Sequence, residues 1–143
     1  MKQTKDKYFV DSNVLLYLTD NKSPKNIRAK ELIASRPTIS VQVVFECLNV
    51  CLRKLKLPKE MSIAFAKYLF KTCHITGEEN ETGIFALELF SRYSLQVYDS
   101  KIVAAAFDAG CKTLYSEDMQ DGLVIENALT IVNPFTLSPA INA

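Results

Sequence analysis

The fold of this chain is decided by residues 7–16, KYFVDSNVLL. The aromatic and β-branched run at 8–10 is typical of a buried strand, and the apolar helix formers that come after Asn13 predict an immediate turn into a helix. In an open α/β sheet, ligands bind just beyond the carboxyl ends of the strands, which is where Asp11 stands. Asp11 is therefore the first candidate for a functional group, provided that other acidic residues meet it there.

The bulk composition is that of one globular domain. The chain has 143 residues, of which 48% are hydrophobic, and its formal net charge of +1 argues neither for nor against binding to nucleic acid. It has no apolar stretch of about 20 residues and no signal-peptide pattern, which predicts a cytoplasmic protein without a membrane partner. We predict a single domain over residues 1–143, with its core at about 7–135 and a flexible C-terminal tail from Thr136 onward.

The four cysteines are predicted to be reduced and buried. They are Cys47, Cys51, Cys73 and Cys111. They form no Cys-x-x-Cys pair, and the single histidine, His74, has no partner at metal-ligand spacing. A zinc site is therefore not expected, and the cysteines should act as small hydrophobic residues in a reducing compartment.

Strand-like and helix-like segments alternate along the chain. Further strands are predicted at 38–41, 112–116 and 129–132, and the segment 74–76 is either a strand or a connector. Helices are predicted at 14–18, 23–35, 42–56, 58–73, 78–93 and 100–109. This alternation predicts an α/β fold with helices on both faces of a mainly parallel sheet of four or five strands.

Two of these helices carry specific expectations about burial. In the helix at 78–93, the main core candidates are Ile84, Leu87, Leu89 and Phe90. In the helix at 42–56, Glu46 is flanked by apolar residues and must lie near the core, where an unpaired carboxylate is costly. The apolar helices between residues 42 and 73 also offer enough hydrophobic surface for a subunit interface.

Three aspartates stand at the start of a helix or at the exit of a strand: Asp11, Asp99 and Asp118. Any one of them, taken alone, is explained as a helix cap. If the parallel strands bring these ends together with Glu46, the carboxylates repel, by roughly 3 kcal/mol for two charges about 5 Å apart at an effective dielectric of about 20. Shared protons or a divalent cation would relieve that repulsion. Oxygen ligands without His or Cys favour Mg²⁺ or Mn²⁺.

The chemistry that such a cluster can support is metal-assisted hydrolysis. A carboxylate-bound divalent ion activates water and stabilises charge on a phosphoryl group under attack. One histidine and four glycines argue against a Ser-His-Asp triad and a Gly-rich phosphate loop. A haloacid-dehalogenase-type phosphatase needs an aspartate where Asn13 stands, and a receiver domain needs a pair of acids that the segment 5–7 does not supply.

Four acidic motifs follow one another in the sequence: DSNVL at 11–15, VVFECLN at 43–49, YDSKIVAAA at 98–106 and SEDMQDG at 116–122. In order and spacing they resemble the motifs of the PIN-domain ribonucleases, which begin with Asp-x-Asn and continue through a second acid, a third acid and a last acidic block. The resemblance runs from about residue 8 to residue 135. It is closest to the compact VapC-type toxins of toxin–antitoxin systems.

This resemblance implies a fold and a function. The fold would be a PIN-like three-layer α/β/α domain. The protein would be a Mg²⁺- or Mn²⁺-dependent endoribonuclease that leaves 5′-phosphate and 3′-hydroxyl ends. It would form a homodimer and be neutralised by a cognate antitoxin protein. The alternative is a non-catalytic PIN-like module that binds RNA or a protein partner.

The resemblance also implies the identity of the metal-site acids. These catalytic residues would be Asp11, Glu46, Asp99 and Asp118. In the last block Glu117, Asp118 and Asp121 compete, with Asp121 as the runner-up. We favour Asp118 because it lies two residues after Ser116, which would be an accessory metal ligand.

Four further residues receive supporting roles. Asn13 would orient the turn at Asp11 rather than bind metal. The basic residues Lys25, Arg28 and Arg53 are candidates to hold the RNA backbone by charge.

Overall fold

The computed structural model describes residues 6–136, and within them six strands form one sheet. The strands are β1 Tyr8–Val10, β2 Thr38–Ser40, β3 His74–Thr76, β4 Thr113–Tyr115, β5 Val124–Ile125 and β6 Leu129–Val132. Their order across the sheet is β3-β2-β1-β4-β6-β5. Neighbouring strands are parallel, except that β5 and β6 pair antiparallel.

Six helices and one 3₁₀ turn connect these strands in the described part of the chain. They are α1 Ser12–Leu15, the 3₁₀ turn Leu16–Thr19, α2 Lys25–Ala34, α3 Val41–Arg53, α4 Lys59–Thr72, α5 Asn80–Arg92 and α6 Val97–Asp108. Helix α6 packs on β2 and β4 and carries α5, whereas α3 contacts α1 and α4. The α/β fold with a mainly parallel sheet between helical layers confirms the predicted fold class.

The centre of the sheet sets the position of the candidate site. Phe9, Leu114 and Ile131 are fully buried on β1, β4 and β6, and they are in register with one another across these strands. Because β1 lies between β2 and β4 and all three are parallel, their carboxyl ends open at the same edge of the sheet. Asp11 follows β1 at that edge, and Ser116 follows β4.

The predicted number of strands is wrong. Residues 74–76, which were left open as a strand or a connector, form β3 and so give the fifth strand, but the sheet has six because the unpredicted β5 adds an antiparallel edge. Strand β5 has only two residues, of which Val124 is exposed and Ile125 is buried, and it is too short for an alternating pattern to be recognised. It follows a turn at Gly122, whose φ of +86° suits a residue without a side chain.

Of the helix boundaries that differ from the prediction, two belong to the helices that carry Asp99 and Glu46. Helix α6 begins at Val97 instead of Ser100, and the Ser100 hydroxyl donates to the carbonyl of Gln96 at 3.1 Å, inside the first turn. Helix α3 ends at Arg53 instead of Lys56, because the chain reverses there and Lys56 adopts a φ of +55°. Glu46 stays on the helix that was predicted to carry it, whereas Asp99, which was predicted to stand just before a helix, lies in the first turn of α6.

The predicted core face of α5 is largely wrong. Leu89 is buried as expected, but its companions in the core are Thr82 and Ala86. Small residues face inward because α5 packs closely on α6. The larger predicted core residues are exposed instead: Ile84, Leu87 and Phe90.

The four cysteines are all free and buried, as predicted. Between residues 6 and 136, no helix has both the length and the apolar character that a bilayer crossing demands. The flexible tail that was predicted after Thr136 lies outside the described residues, and the single domain over the full chain stays a prediction.

Candidate active site

Asp11 is a buried carboxylate at the end of the central strand, with only 4% of the residue exposed. Its Oδ1 caps α1 by accepting the N–H of Ser12 at 2.8 Å, and its Oδ2 accepts the hydroxyl of Ser116 at 2.9 Å. The pKa of Asp11 is raised to about 7, chiefly by burial and also by the charges of Glu46 and Asp99, whereas the two hydrogen bonds lower it. Ionisation of Asp11 is therefore unfavourable in this buried position beside two other acids.

The Glu46 side chain extends from α3 toward Ser12, the residue next to Asp11. Its Oε1 accepts the hydroxyl of Ser12 at 3.2 Å, and its Oε2 accepts the side-chain amide of Gln42 at 3.2 Å. The Gln42 amide also donates to the Tyr98 carbonyl at 3.4 Å, which links α3 to the first turn of α6. The Glu46 carboxylate, which was expected near the core, is therefore partly buried and accepts a hydrogen bond on each oxygen.

Ser12 and Gln42 are contacts that the sequence reasoning missed. Gln42 lies four residues before Glu46 on one helix, and this spacing could have indicated the pair. Ser12 gave no such signal, because its hydroxyl meets Glu46 only after β1 and β2 are paired.

Asp99 and Asp118 complete the acidic cluster. Asp99 lies in the first turn of α6, and its pKa is raised by burial and then by the charges of Glu46 and Asp118. Asp118 is exposed on the segment that follows β4. The fold thus brings Asp11, Glu46 and Asp99 close enough for their charges to act on one another, and Asp118 joins this group through Asp99.

The donor chemistry of this cluster suits a hard divalent cation. All four groups are carboxylates, and their mutual repulsion is relieved by positive charge. In the range 6–136, no three His, Cys, Asp or Glu side chains are already arranged to enclose a metal ion. These residues therefore suit a metal ion because their donor atoms are carboxylate oxygens and because they lie at one edge of the sheet.

The other two acids of the last block have different partners. Glu117 accepts hydrogen bonds from the Tyr17 hydroxyl at 2.7 Å and from the Lys25 ammonium. Burial works to raise the pKa of Glu117, but these two hydrogen bonds lower it below its ordinary value. Asp121 accepts the N–H of Asn133 at 2.8 Å and so caps the end of β6. Asp118 is the member of the block whose charge acts on Asp99.

Asn13 and Ser116 tie the two loops of the site together. The Asn13 amide donates to Asp11 Oδ2 and to Ser116 Oγ, both at 3.3 Å, and its carbonyl accepts the N–H of Glu117 at 3.0 Å. Ser116 is fully buried, and its own hydroxyl proton is directed at Asp11. Both side chains therefore contact the Asp11 carboxylate directly.

The three predicted RNA contacts do not gather around the acids. Lys25 pairs with Glu117, Arg28 lies 3.5 Å from Glu31 on its own helix, and Arg53 donates to Asn49 at 3.0 Å. The guanidinium of Arg28 also lies 5.7 Å from the centre of the Tyr115 ring. Lys25 is the one of the three that connects to the site, and it does so through Glu117.

A family model described as the PIN domain matches residues 8–120. No curated protein sequence matches the chain.

Several solved structures share its fold. VapC20 of Mycobacterium tuberculosis, a sarcin–ricin loop cleaving toxin, has a TM-score of 0.65 at 20% identity, over 78% of this chain and 90% of that one. A toxin–antitoxin complex from Klebsiella pneumoniae has a TM-score of 0.67 at 19% identity, over 92% and 100% of the two chains. DNA-bound VapBC from Salmonella typhimurium has a TM-score of 0.67 at 17% identity, over 89% and 97%. Because the family model covers most of the sequence, the chain belongs to the PIN domain family.

Proposed function

We propose that the chain is a divalent-metal-dependent endoribonuclease that hydrolyses RNA phosphodiester bonds, and that it is the toxin of a toxin–antitoxin pair. The observation that carries the proposal is the buried Asp11 carboxylate, which lies beside Glu46 and Asp99, where a cation would offset the repulsion. The PIN family and the similarity to toxins, one of which cleaves the sarcin–ricin loop, support the same function.

Asp11, Glu46, Asp99 and Asp118 would hold Mg²⁺ or Mn²⁺. The bound ion would supply an activated water and stabilise charge on the scissile phosphate, which leaves 5′-phosphate and 3′-hydroxyl ends. The protein's own contribution is to fix the donors before the ion arrives. Ser12 and Ser116 hold the two oxygens of Asp11, and Gln42 orients Glu46.

The proposal is tested by incubating RNA with the purified protein in Mn²⁺, Mg²⁺ or EDTA. We expect cleavage with either metal, no cleavage in EDTA, and no cleavage by an Asp11→Asn variant. Asp108→Asn, which changes an exposed aspartate on α6, is the matched control and should cleave normally. Equal cleavage by Asp11→Asn and the wild type would overturn the proposal. Tight binding of RNA or of a small protein without cleavage would favour a non-catalytic PIN-like module.

The last acidic block yields a sharper prediction. Asp118→Asn should reduce cleavage by at least about tenfold, because it removes a proposed ligand that faces Asp99. Asp121→Asn should retain cleavage, because Asp121 is engaged with the N–H of Asn133. Initial rates at a fixed Mn²⁺ concentration distinguish the two. The reverse ranking would make Asp121 the fourth ligand.

A cognate antitoxin is the proposed partner. The similar structures from Klebsiella pneumoniae and Salmonella typhimurium are toxin–antitoxin complexes. We place the protein in the cytoplasm, because four free, buried cysteines suit a reducing compartment. A small protein encoded beside the toxin should copurify with it on coexpression and suppress its cleavage of RNA, whereas independent purification of the two would count against the pairing.

We also propose a homodimer, formed through an exposed apolar face on α3, α5 and α6. This face consists of Phe45, Ile84, Leu87, Phe90, Val97 and Tyr98. Lys101 lies between the part of this face on α5 and the part on α3. It lines both a cavity of about 850 Å³ beside α5 and a cavity of about 350 Å³ beside Phe45. An exposed apolar patch of this kind marks an interaction surface.

The dimer is tested by light scattering coupled to size exclusion. We expect the wild type to be a dimer and Leu87→Glu to be a monomer, because the charge would be buried in the interface. Ile27→Glu is the control, since Ile27 on α2 and Leu87 are both 68% exposed. A monomeric wild type, or a monomeric Ile27→Glu, would contradict this choice of surface.

A further inference from the structure

The Glu117 carboxylate connects the segment after β4 to the 3₁₀ turn and to α2. Its carboxylate accepts the Tyr17 hydroxyl of the 3₁₀ turn at 2.7 Å and forms an ion pair with Lys25, the first residue of α2. The Lys25 ammonium also lies 5.1 Å from the centre of the Tyr17 ring and 5.2 Å from that of Phe135, which follows β6. The Lys25 ammonium is thus held by one ion pair and two cation–π contacts.

The backbone of Glu117 continues this connection into the acidic cluster. Its N–H donates to Asn13 Oδ1 at 3.0 Å, and the side-chain amide nitrogen of Asn13 donates to Asp11 Oδ2 at 3.3 Å. A continuous chain of contacts therefore runs from Lys25 through Glu117 and Asn13 to Asp11. Asp118, whose charge acts on Asp99, is the residue that follows Glu117.

We propose that Tyr17 and Lys25 are positioning residues, which act through Glu117 to place Asp118 beside Asp99. The inference rests on the proposed function, in which Asp118 is a metal ligand. Asp118 is exposed, so its position is set by the backbone that carries it. Fixing that backbone in advance reduces the conformational freedom that would be lost when a cation draws the carboxylates together.

The same geometry argues against the role in RNA binding that was predicted for Lys25. An ammonium that is already neutralised by Glu117 attracts a phosphate less than a free one does. The two roles differ in what they change, since a positioning residue alters metal affinity and an RNA contact alters the KM for RNA.

The experiment measures Mn²⁺ affinity directly, by titration calorimetry on the full-length protein. We expect Glu117→Gln, Lys25→Met and Tyr17→Phe each to raise the Kd for Mn²⁺ by about tenfold, as outer-shell substitutions do. Saturating Mn²⁺ should restore most of the cleavage rate. The double variant Glu117→Gln with Lys25→Met should bind no more weakly than the weaker single variant, because both substitutions break one connection.

One control and one conservative variant keep the test specific. Lys30→Met removes a positive charge from the same helix, at an exposed position, and should leave the Kd for Mn²⁺ unchanged. Tyr17→Phe removes one hydroxyl and keeps the ring that packs 5.1 Å from Phe135, so it tests the inference even if Lys25→Met unfolds.

Three results would overturn the inference. If Lys25 only attracts RNA, Lys25→Met will raise the KM for RNA at an unchanged Kd for Mn²⁺, and Glu117→Gln will lower that KM by freeing the ammonium. If the wild type binds Mn²⁺ and all three single variants bind it equally well, the positioning role is wrong and the proposed function stands. If the wild type binds no Mn²⁺, both are wrong.

Discussion

Asp11→Asn is expected to stabilise the metal-free protein at pH 8 by up to about 4 kcal/mol, although it removes a group that the proposed activity needs. The reason is the buried charge. The pKa of Asp11 is about 7 in the folded protein against 3.8 for the free side chain, chiefly because burial disfavours the carboxylate. Asn keeps the size of the side chain and removes the charge, but its amide nitrogen cannot accept the hydrogen bond that the Asn13 amide donates to Oδ2, so the net gain is smaller than the full effect of the charge.

The sign of the pH dependence follows from that difference in pKa. Because the pKa of Asp11 is raised on folding, the folded state holds more protons than the unfolded state between about pH 4 and pH 7. The contribution of Asp11 to stability is therefore full below pH 4 and is lost as the pH rises toward 7. Asp11→Asn should remove this slope.

Urea unfolding in EDTA at pH 5 and pH 8 measures the effect. The free energy of unfolding of the wild type should fall between these two pH values, and that of Asp11→Asn should fall much less. Asp20→Asn, at an exposed position, is the control and should follow the wild type. The same fall in stability between pH 5 and pH 8 in Asp11→Asn and the wild type would show that the buried charge of Asp11 does not cause it.

Glu46→Gln is expected to lower RNA cleavage by about 100-fold or more while leaving the fold intact. Glu46 is only partly buried, and glutamine can still accept the hydrogen bond from the Ser12 hydroxyl. The substitution removes one negative charge from the proposed metal site, and the remaining carboxylates hold a cation less strongly. The loss should therefore appear in activity rather than in stability.

Initial cleavage rates in excess Mn²⁺, together with thermal unfolding monitored by circular dichroism, separate these two effects. Glu60→Gln, at an exposed position on α4, is the matched control and should behave as the wild type in both measurements. A Glu46→Gln protein that cleaves RNA within threefold of the wild type would remove Glu46 from the proposed site.

The strand exits were the most predictable part of this fold. Tyr8–Val10 followed by Asp11 predicted a buried strand that ends in a carboxylate, because β-branched and aromatic residues and the sudden change to polar ones are local signals. The convergence of Glu46 with Asp11 followed from the parallel order of the strands. These features depend on short stretches of sequence and on general rules of chain connection.

The inward face of α5 could not be predicted in the same way. Residue size favoured Ile84 and Leu87 for the core, yet Thr82 and Ala86 are buried. The choice depends on how closely α6 approaches, and α6 is itself rich in buried alanines at 104–106. A neighbouring helix that accepts only small side chains gives no signal within α5 itself.

The role of Lys25 was equally hidden. A lysine on the polar side of a helix is normally a solvated charge, and its partner Glu117 lies 92 residues later in the chain. Their contact depends on β4 lying beside β1. Local pattern alone could therefore suggest a free cation but not its ion pair.

The most direct test of the central claim is the affinity of the purified protein for Mn²⁺, measured by calorimetry on the wild type, Asp11→Asn and Glu46→Gln. If the four acids form a metal site, the wild type will bind Mn²⁺ saturably, and each variant will bind it at least about tenfold more weakly. Equal affinity in all three proteins would contradict a metal site at this edge of the sheet.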